Sequence, residues 1–211
     1  MTISTKLVKK EIVSLPKSYS DQEKEYIIKR LKEEALSCMA QYGIRRTTVD
    51  ELVRRVNIPK GTFYLFYKSK ELLLFEVIQE QHDIINQNMY LALQKFNGST
   101  PTADELTDLF LSFFKLSDEM PIFRILDSDE VELLMRKLPP EVLANHMEED
   151  TDAIEKIFSM LPVKDGVDVE VVSAAFHSIY FATLHKNEVE KDHYYPALRM
   201  IIYGVVTQFL A

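Results

Sequence analysis

Residues 47–74 read TTVDELVRRVNIPKGTFYLFYKSKELLL, and a few residues punctuate them. Thr48 followed by Glu51 has the spacing of a capping box, in which a hydroxyl and a carboxylate satisfy the orphan N–H groups that open a helix. The short helix so opened runs from Val49 to about Val56 and turns Leu52, Val53 and Val56 inward. Asn57-Ile58-Pro59 breaks it, and Pro59 sits where the next helix starts, a place at which its missing donor costs little. That second segment, Lys60 to Tyr67, is too short to be stable alone and must dock on its neighbours. Ser69 then caps a further helix. Two short helices joined by a tight turn are the arrangement of a helix-turn-helix, whose second helix enters the major groove of DNA, though many helical bundles contain such a pair as well.

Outward from this core the chain divides into three parts. Residues 1–20 show no helical period, mix Lys with Ser and Pro, and read as a flexible basic arm. From Ser20 onward Ile28, Leu31, Ala35, Met39 and Tyr42 recur at three- and four-residue steps and stop at Gly43, a C-terminal breaker. This first helix completes a head over residues 21–74. Beyond Ser69, Leu74, Ile78, Ile85, Met89, Leu93 and Phe96 keep helical register as far as Asn97-Gly98. A long fourth helix of about 40 Å follows from the rise per residue. It leads into a body over residues 75–211, with helices expected near 102–118, 121–126, 128–137, 139–160, 168–187 and 192–210, separated by Pro101, Pro121, Pro139-Pro140 and the stretch from Pro162 to Gly166. No strand pattern competes, so the expected fold class is all-α.

Composition agrees with this reading. Hydrophobic residues make up 46% and charged residues 27%, with only 5 Gly and 8 Pro, which fits neither disorder nor a turn-rich β-sandwich. No apolar run approaches the roughly 18 to 20 residues that a membrane span needs, and the N-terminus lacks the apolar core and cleavage site of a signal peptide. A soluble cytoplasmic protein with no membrane partner is expected. The single cysteine, Cys38, reads as a small core residue. A net charge of -8 would repel a polyanion, but residues 1–74 hold 15 Lys/Arg against 9 Asp/Glu and residues 75–211 hold 10 against 24. A basic head on an acidic body suits DNA contact through the head alone.

With the Lys-Gly-Thr-aromatic-Tyr core at Lys60–Tyr64 and the Ser-Lys-Glu-Leu that follows at Ser69–Leu72, the quoted stretch resembles the DNA-binding signature of the TetR family of bacterial regulators. The resemblance covers about residues 21–74 by motif, and the rest only in helix number, length and order. It implies a three-helix DNA-binding head joined by a long fourth helix to a helical body that binds an effector and dimerises. It also implies phosphate contacts from Thr48, Tyr64 and Lys70 and groove contacts from Lys60, Gly61 and Thr62. Physical chemistry supports these roles. Gly61 lets backbone N–H groups approach a phosphate at a positive helix end, while Tyr64 and Tyr67 offer phenols and Lys60 and Lys70 offer cations. Thr47 stands beside Thr48, and Arg45, Arg46 and Arg55 are electrostatic candidates that solvent could equally claim. Phe66 stands where the family usually has His and Tyr67 where it usually has Phe, so one polar contact could have moved along the helix, and Leu65 leaves the base-reading code open.

A dimeric operator needs a self-complementary protein surface. In the last two helices Val172, Ala175, Phe176, Ile179 and Thr183 form one stripe and Leu198, Ile201, Ile202, Val205 and Phe209 another. Two copies could join them as a four-helix interface, which the resemblance also implies, or both stripes could face the subunit's own core. The resemblance places an effector pocket among Phe110, Phe113, Phe114, Met120, Phe123, Met135 and Met147, with His146, His177 and Tyr180 as polar groups, suiting a small hydrophobic or aromatic ligand; ordinary core packing is the other reading. No metal or cofactor is expected, because His146 with Glu149, or His177, His185 and His193, reproduce no ligand signature. With no Gly-rich phosphate loop or nucleophile elbow, no enzyme activity is expected, and the acidic run Asp127–Glu132 reads as a helix start that favours negative charge. The reading is a homodimeric repressor released from a palindromic DNA operator by an effector. Its rivals are a body that docks a protein partner, and a helical enzyme or carrier with an accidental helix-turn-helix.

Overall fold

The computed structural model describes residues 19–96, 100–119 and 128–211, and the fold they form is all-α. The first helix, α1 (Asp21–Arg46), opens on a complete capping box: the Ser20 hydroxyl accepts from the Glu23 amide at 3.3 Å, and the Glu23 carboxylate accepts from the Ser20 amide at 2.7 Å. Ile27, Leu31, Ala35, Cys38 and Met39 form its buried stripe, while Ile28 is only half-buried. At Gly43 the backbone turns to φ 82°, ψ 173°, a conformation open essentially to glycine alone, and α1 breaks there before one last turn. Next come α2 (Val49–Val56), which ends on Asn57 in the left-handed region, and α3 (Lys60–Phe66). The strut α4 (Lys70–Leu93) is capped by Ser69 and closes in a 3₁₀ turn, Gln94–Phe96. Its 24 residues span about 36 Å.

The body contains α5 (Ala103–Glu119), α6 (Ser128–Met135), α7 (Pro140–Phe158), α8 (Val169–Leu184) and α9 (Lys191–Phe209). Each lies where the sequence places a helix, and the helix expected near 121–126 falls outside the described residues. The segment between α7 and α8 is tied to the C-terminus: Lys164 donates its amide to the Phe209 carbonyl and Ala211 to that of Pro162, both at 2.8 Å.

Two apolar clusters hold the molecule, and they do not divide at residue 74. One joins α1, α2, α3 and the first turns of α4 to Leu134 and Leu138 at the end of α6, with Val142 and Leu143 of α7 packed against it. The other gathers Leu93, Leu106, Phe110, Phe158, Ile179, Ile202, Val206 and Phe209. Among the described residues, only those of α4 and α7 enter both. Phe75 meets His146 edge-on at 5.3 Å and Lys156 stands 4.5 Å over the Tyr90 ring, so the two helices lie side by side and run in the same direction. At their far end Tyr90, Leu93, Gln94, Ser159 and Met160 line a cleft of about 370 Å³.

Burial corrects the expected dimer stripes. Val172, Ile179, Thr183, Leu198, Ile202 and Phe209 are buried within the single chain, and Ala175, Phe176 and Val205 are half-buried; of the expected residues only Ile201 is exposed. The stripes face the subunit's own core. The apolar surface left open lies around the helices from them, at Val171, Ala174, Phe181 and Ala182 of α8 and at Ala197, Met200, Ile201, Tyr203 and Gly204 of α9, with Met200 76% exposed.

The described ones among the expected pocket residues do not converge on one space either. Phe110 packs on Phe176 at 4.7 Å, and Phe114 joins the same cluster. Phe113 is half-buried on α5, and Met135 belongs to the head cluster. His146 lies between Phe75 and His82 on the struts, His177 is exposed, and burial raises the Tyr180 phenol pKa. Met120 and Phe123 lie outside the described residues, as does the side chain of Met147.

Candidate nucleic-acid interface

The head builds its surface on α2 and α3. Thr48 caps α2 as expected, accepting from the Glu51 amide at 3.2 Å, and the residue is exposed. Glu51 does not reach back to complete the box. Its carboxylate accepts instead from Arg54 Nε at 2.9 Å and Arg55 Nε at 2.7 Å, and those bonds bring its carboxyl pKa down to about 2. Arg55 is fully engaged inside the head: it also donates to Gln41 and the Tyr42 hydroxyl at 3.2 Å each, and its guanidinium stands over the Tyr42 ring at 5.7 Å. It braces α2 on α1.

The short α3 presents alternating roles. Gly61 is exposed, and a Cβ added there would meet no atom within 4 Å, so its surface is open to a close approach. One turn on, Tyr64 is 51% exposed, its ring set edge-on against Phe63 at 5.3 Å. Lys60 projects into solvent but pairs with Asp50 across the turn at 2.8 Å, which raises the pKa of its ammonium. Thr62 faces the other way. It is buried, with its hydroxyl 3.2 Å from that of Tyr19, so the chain enters the head against the first turn of α3.

Tyr67 also lies inside, 6% exposed, packed on Phe63 at 6.0 Å with its phenol against the Glu76 carboxylate. Burial and Glu76 together push that phenol's pKa far up. Glu76 is in turn paired with Lys32 at 2.7 Å, so a polar chain links the end of α3 through α4 to α1. Tyr67 therefore fills an apolar place in the head and spends its phenol oxygen internally.

Two further expected residues hold the turn between α1 and α2. Thr47 is fully buried, and its hydroxyl donates to the Gly43 carbonyl at 2.8 Å. Lys70, at the start of α4, donates to the carbonyls of Ile44 at 3.1 Å, Arg45 at 3.3 Å and Thr47 at 2.6 Å, while burial lowers its pKa. Arg45 and Arg46 both stand exposed on the last turn of α1.

Of the eleven residues expected at DNA, the structure thus presents Arg45, Arg46, Thr48, Lys60, Gly61 and Tyr64 on the surface of the head, while Arg55 is bonded within it. Thr47, Thr62 and Tyr67 are turned inward, and Lys70 is committed to three backbone carbonyls. Such a face offers cations, a hydroxyl, a phenol and bare backbone, the groups that position a protein on phosphates. What the sequence did not disclose is the set of partners that Asp50, Glu51, Glu76 and Tyr19 supply.

Comparison with known proteins falls on the same region. Residues 31–77 match the family model of bacterial regulatory proteins of the tetR family. The uncharacterized HTH-type transcriptional regulator YuxN of Bacillus subtilis is 38% identical over 55 residues, which are 26% of this chain and 19% of that protein. The likeness therefore spans about a fifth of that relative's length. Among solved structures, SmeT, the repressor of the Stenotrophomonas maltophilia multidrug efflux pump SmeDEF, superposes with a TM-score of 0.60 at 17% identity, covering 87% of this chain and 90% of SmeT. The transcriptional regulator FadR of Bacillus subtilis, in complex with stearoyl-CoA, gives 0.58 at 15% identity over 85% of this chain and 97% of FadR. Identities this low establish a shared fold.

Proposed function

For a chain whose helix-turn-helix head belongs to the TetR family of bacterial regulatory proteins, we propose the function of a homodimeric transcriptional repressor that binds a palindromic DNA operator through α2 and α3. One observation carries the reading: on the segment that matches the family model, Arg45, Arg46, Thr48, Lys60, Gly61 and Tyr64 share the exposed surface of the head. The charge supports it, since the basic residues gather before residue 75 and the acidic excess follows. In this reading the open apolar face of α8 and α9 meets its copy on a second chain, and the two-fold so formed sets two recognition helices against one duplex. The domains proposed are a basic arm over 1–20, a DNA-binding head over 21–74 and a body over 75–211, with α6 of the body packed on the head.

Release by a small hydrophobic effector is the second part of the proposal. The complex of FadR with stearoyl-CoA supports a ligand with an apolar chain for this fold, and the aromatic clustering of α5 with α8 and α9 offers a region that could open to one. Ligand and operator would then be reciprocally coupled, and only to the extent that the ligand prefers one conformation.

The decisive experiment is selection of bound sequences from random duplex DNA with the full chain. A palindrome is expected, and it would report binding, symmetry and half-site spacing at once. Recovery of no enriched sequence would end the proposal. Operator titrations at fixed salt, with and without acyl and aromatic compounds, test the effector; equal affinity throughout would remove induction and leave DNA binding standing.

A further inference from the structure

The acidic start of α6 does more than favour a helix N-terminus. Glu130 reaches from its first turns to the break in α1, where its carboxylate accepts the Ile44 amide proton at 2.6 Å. The two residues lie 86 positions apart. The break at Gly43 takes the Ile44 amide out of the helical ladder and leaves it needing an acceptor, and a carboxylate accepts an amide proton more strongly than a carbonyl does. The fit is close: a Cβ on Gly43 would stand 2.8 Å from Glu130 Oε2 and 3.0 Å from Oε1. On the other side of the same turn Lys70 holds the carbonyls of Ile44, Arg45 and Thr47, and the Thr47 hydroxyl holds that of Gly43. The single turn that carries the chain from α1 into α2 is therefore gripped at its amide by the body and at its carbonyls by the strut.

We propose that Glu130 is a positioning residue for DNA binding: by fixing the Gly43–Thr47 turn it sets the direction in which α2 and α3 are presented. The inference rests on the DNA-binding reading above and extends it to a residue outside the head. Glu130 is not itself among the surface groups of α2 and α3. Around it the contact between α6 and the head is completed by Leu134 and Leu138 in the head's apolar cluster and by Lys137 paired with Glu71 of α4 at 3.2 Å, so the carboxylate is held in register by packing on both sides.

The sign of the effect separates this role from simple electrostatics. Removing a carboxylate from a protein that binds a polyanion should tighten binding, most of all at low salt. A positioning role predicts the reverse. The test uses the full-length chain and an operator selected from random duplex DNA by the unsubstituted protein, with amide hydrogen exchange of the free protein measured beside it. Glu130→Ala should weaken operator affinity on the order of ten-fold, leave the slope of affinity against salt unchanged, and speed exchange at Ile44 and through α2 and α3. Glu130→Gln, whose amide oxygen still accepts, should keep affinity within about three-fold and protect Ile44 nearly as before. Unchanged or tighter binding by Glu130→Ala would overturn the proposal, as would equal losses in the two variants. Should Glu130→Ala fail to fold, the Ile44 exchange rate in Glu130→Gln decides, and rapid exchange there counts against it. If the unsubstituted chain selects no operator, the DNA-binding reading falls by that result alone.

Discussion

Replacing Gly43 with alanine asks whether the turn between α1 and α2 is built as described. Two costs add. Holding a residue with a Cβ at φ 82°, ψ 173° costs about 1 to 3 kcal/mol, because that region is essentially glycine's alone. The new methyl also stands 2.8 Å from Glu130 Oε2, so the carboxylate must withdraw and the charge-assisted bond to Ile44, about 1.5 to 3 kcal/mol, is lost or weakened. The expected destabilisation is about 3 to 5 kcal/mol, a large share of the roughly 5 to 15 kcal/mol of a typical domain. Urea denaturation at one fixed protein concentration would measure it, with the slope compared to ensure that the unfolded state is unchanged. The decisive arm is the double-mutant cycle. In a Glu130→Ala background the carboxylate is already gone, so Gly43→Ala should cost only the backbone part, about 1 to 3 kcal/mol. Strict additivity, to within about 0.5 kcal/mol, would refute the contact, and a Gly43→Ala cost below about 1 kcal/mol would refute the strained turn.

Four further outcomes are expected. Asp50→Asn releases Lys60 and should strengthen binding to a selected operator, whereas Lys60→Ala should weaken it and shallow the log–log salt slope by about 0.9; equal slopes would take Lys60 off the phosphates. Tyr64→Phe should weaken binding without changing that slope, and Tyr67→Phe should leave affinity alone because its phenol lies against Glu76, so a loss with Tyr67→Phe would contradict the buried placement. Met200→Glu puts a charge on the open face of α9 and should raise the dimer dissociation constant in sedimentation equilibrium, while its neighbour Ile202→Ala should instead cost about 2 to 5 kcal/mol of stability; an unaltered dimer in the first case would move the interface elsewhere. Glu51, with its carboxyl pKa depressed to about 2, contributes stability that is complete above the ordinary carboxylate value of 4.5 and is lost as pH falls from there toward 2. Glu51→Gln should flatten the acid limb of circular dichroism across that window, and raised salt should do part of the same, since Arg54 stands exposed and Glu51 only half-buried.

Local signals carried the helices because they act over a few residues. Ser69 caps α4 and Asn57-Ile58-Pro59 separates α2 from α3 where the sequence puts them, for a cap or a breaker needs only its neighbours to act. The residues read otherwise depend on packing or on competing partners. On α8 both Val171 and Val172 are apolar, and an apolar stripe reveals a face without revealing whether it meets its own chain or another. Thr62 on α3 and Tyr67 at its C-terminal end carry hydroxyls and so look ready for phosphate, but α3 is short and must bury one side, and these two are on it. Glu51 has capping-box spacing, yet Arg54 and Arg55 offer its carboxylate charged donors, which outcompete a lone amide. Glu130 and Lys70 find their partners through the fold, and no local pattern marks either.

The arrangement of the two clusters bears on how a body could act on a head. Close-packed cores do not deform gradually; they shift between discrete packings. Here, among the described residues, only those of α4 and α7 enter both clusters, and the two helices are registered against each other at Phe75 with His146 and at Tyr90 with Lys156. Among the described residues, a change in the second cluster can therefore reach the head along these two parallel struts, while the buried residues of α5, α8 and α9 belong to the second cluster. At the head, the struts and α6 converge on one place: Lys70 begins α4, Leu138 and Val142 bracket the start of α7, and Glu130 stands on α6, with Lys70 and Glu130 both on the turn after Gly43. That turn has its Ile44 amide bonded to Glu130 of α6 and its carbonyls to Lys70 of α4, so a shift of α4 relative to α6 would load both sets of bonds where the chain enters α2.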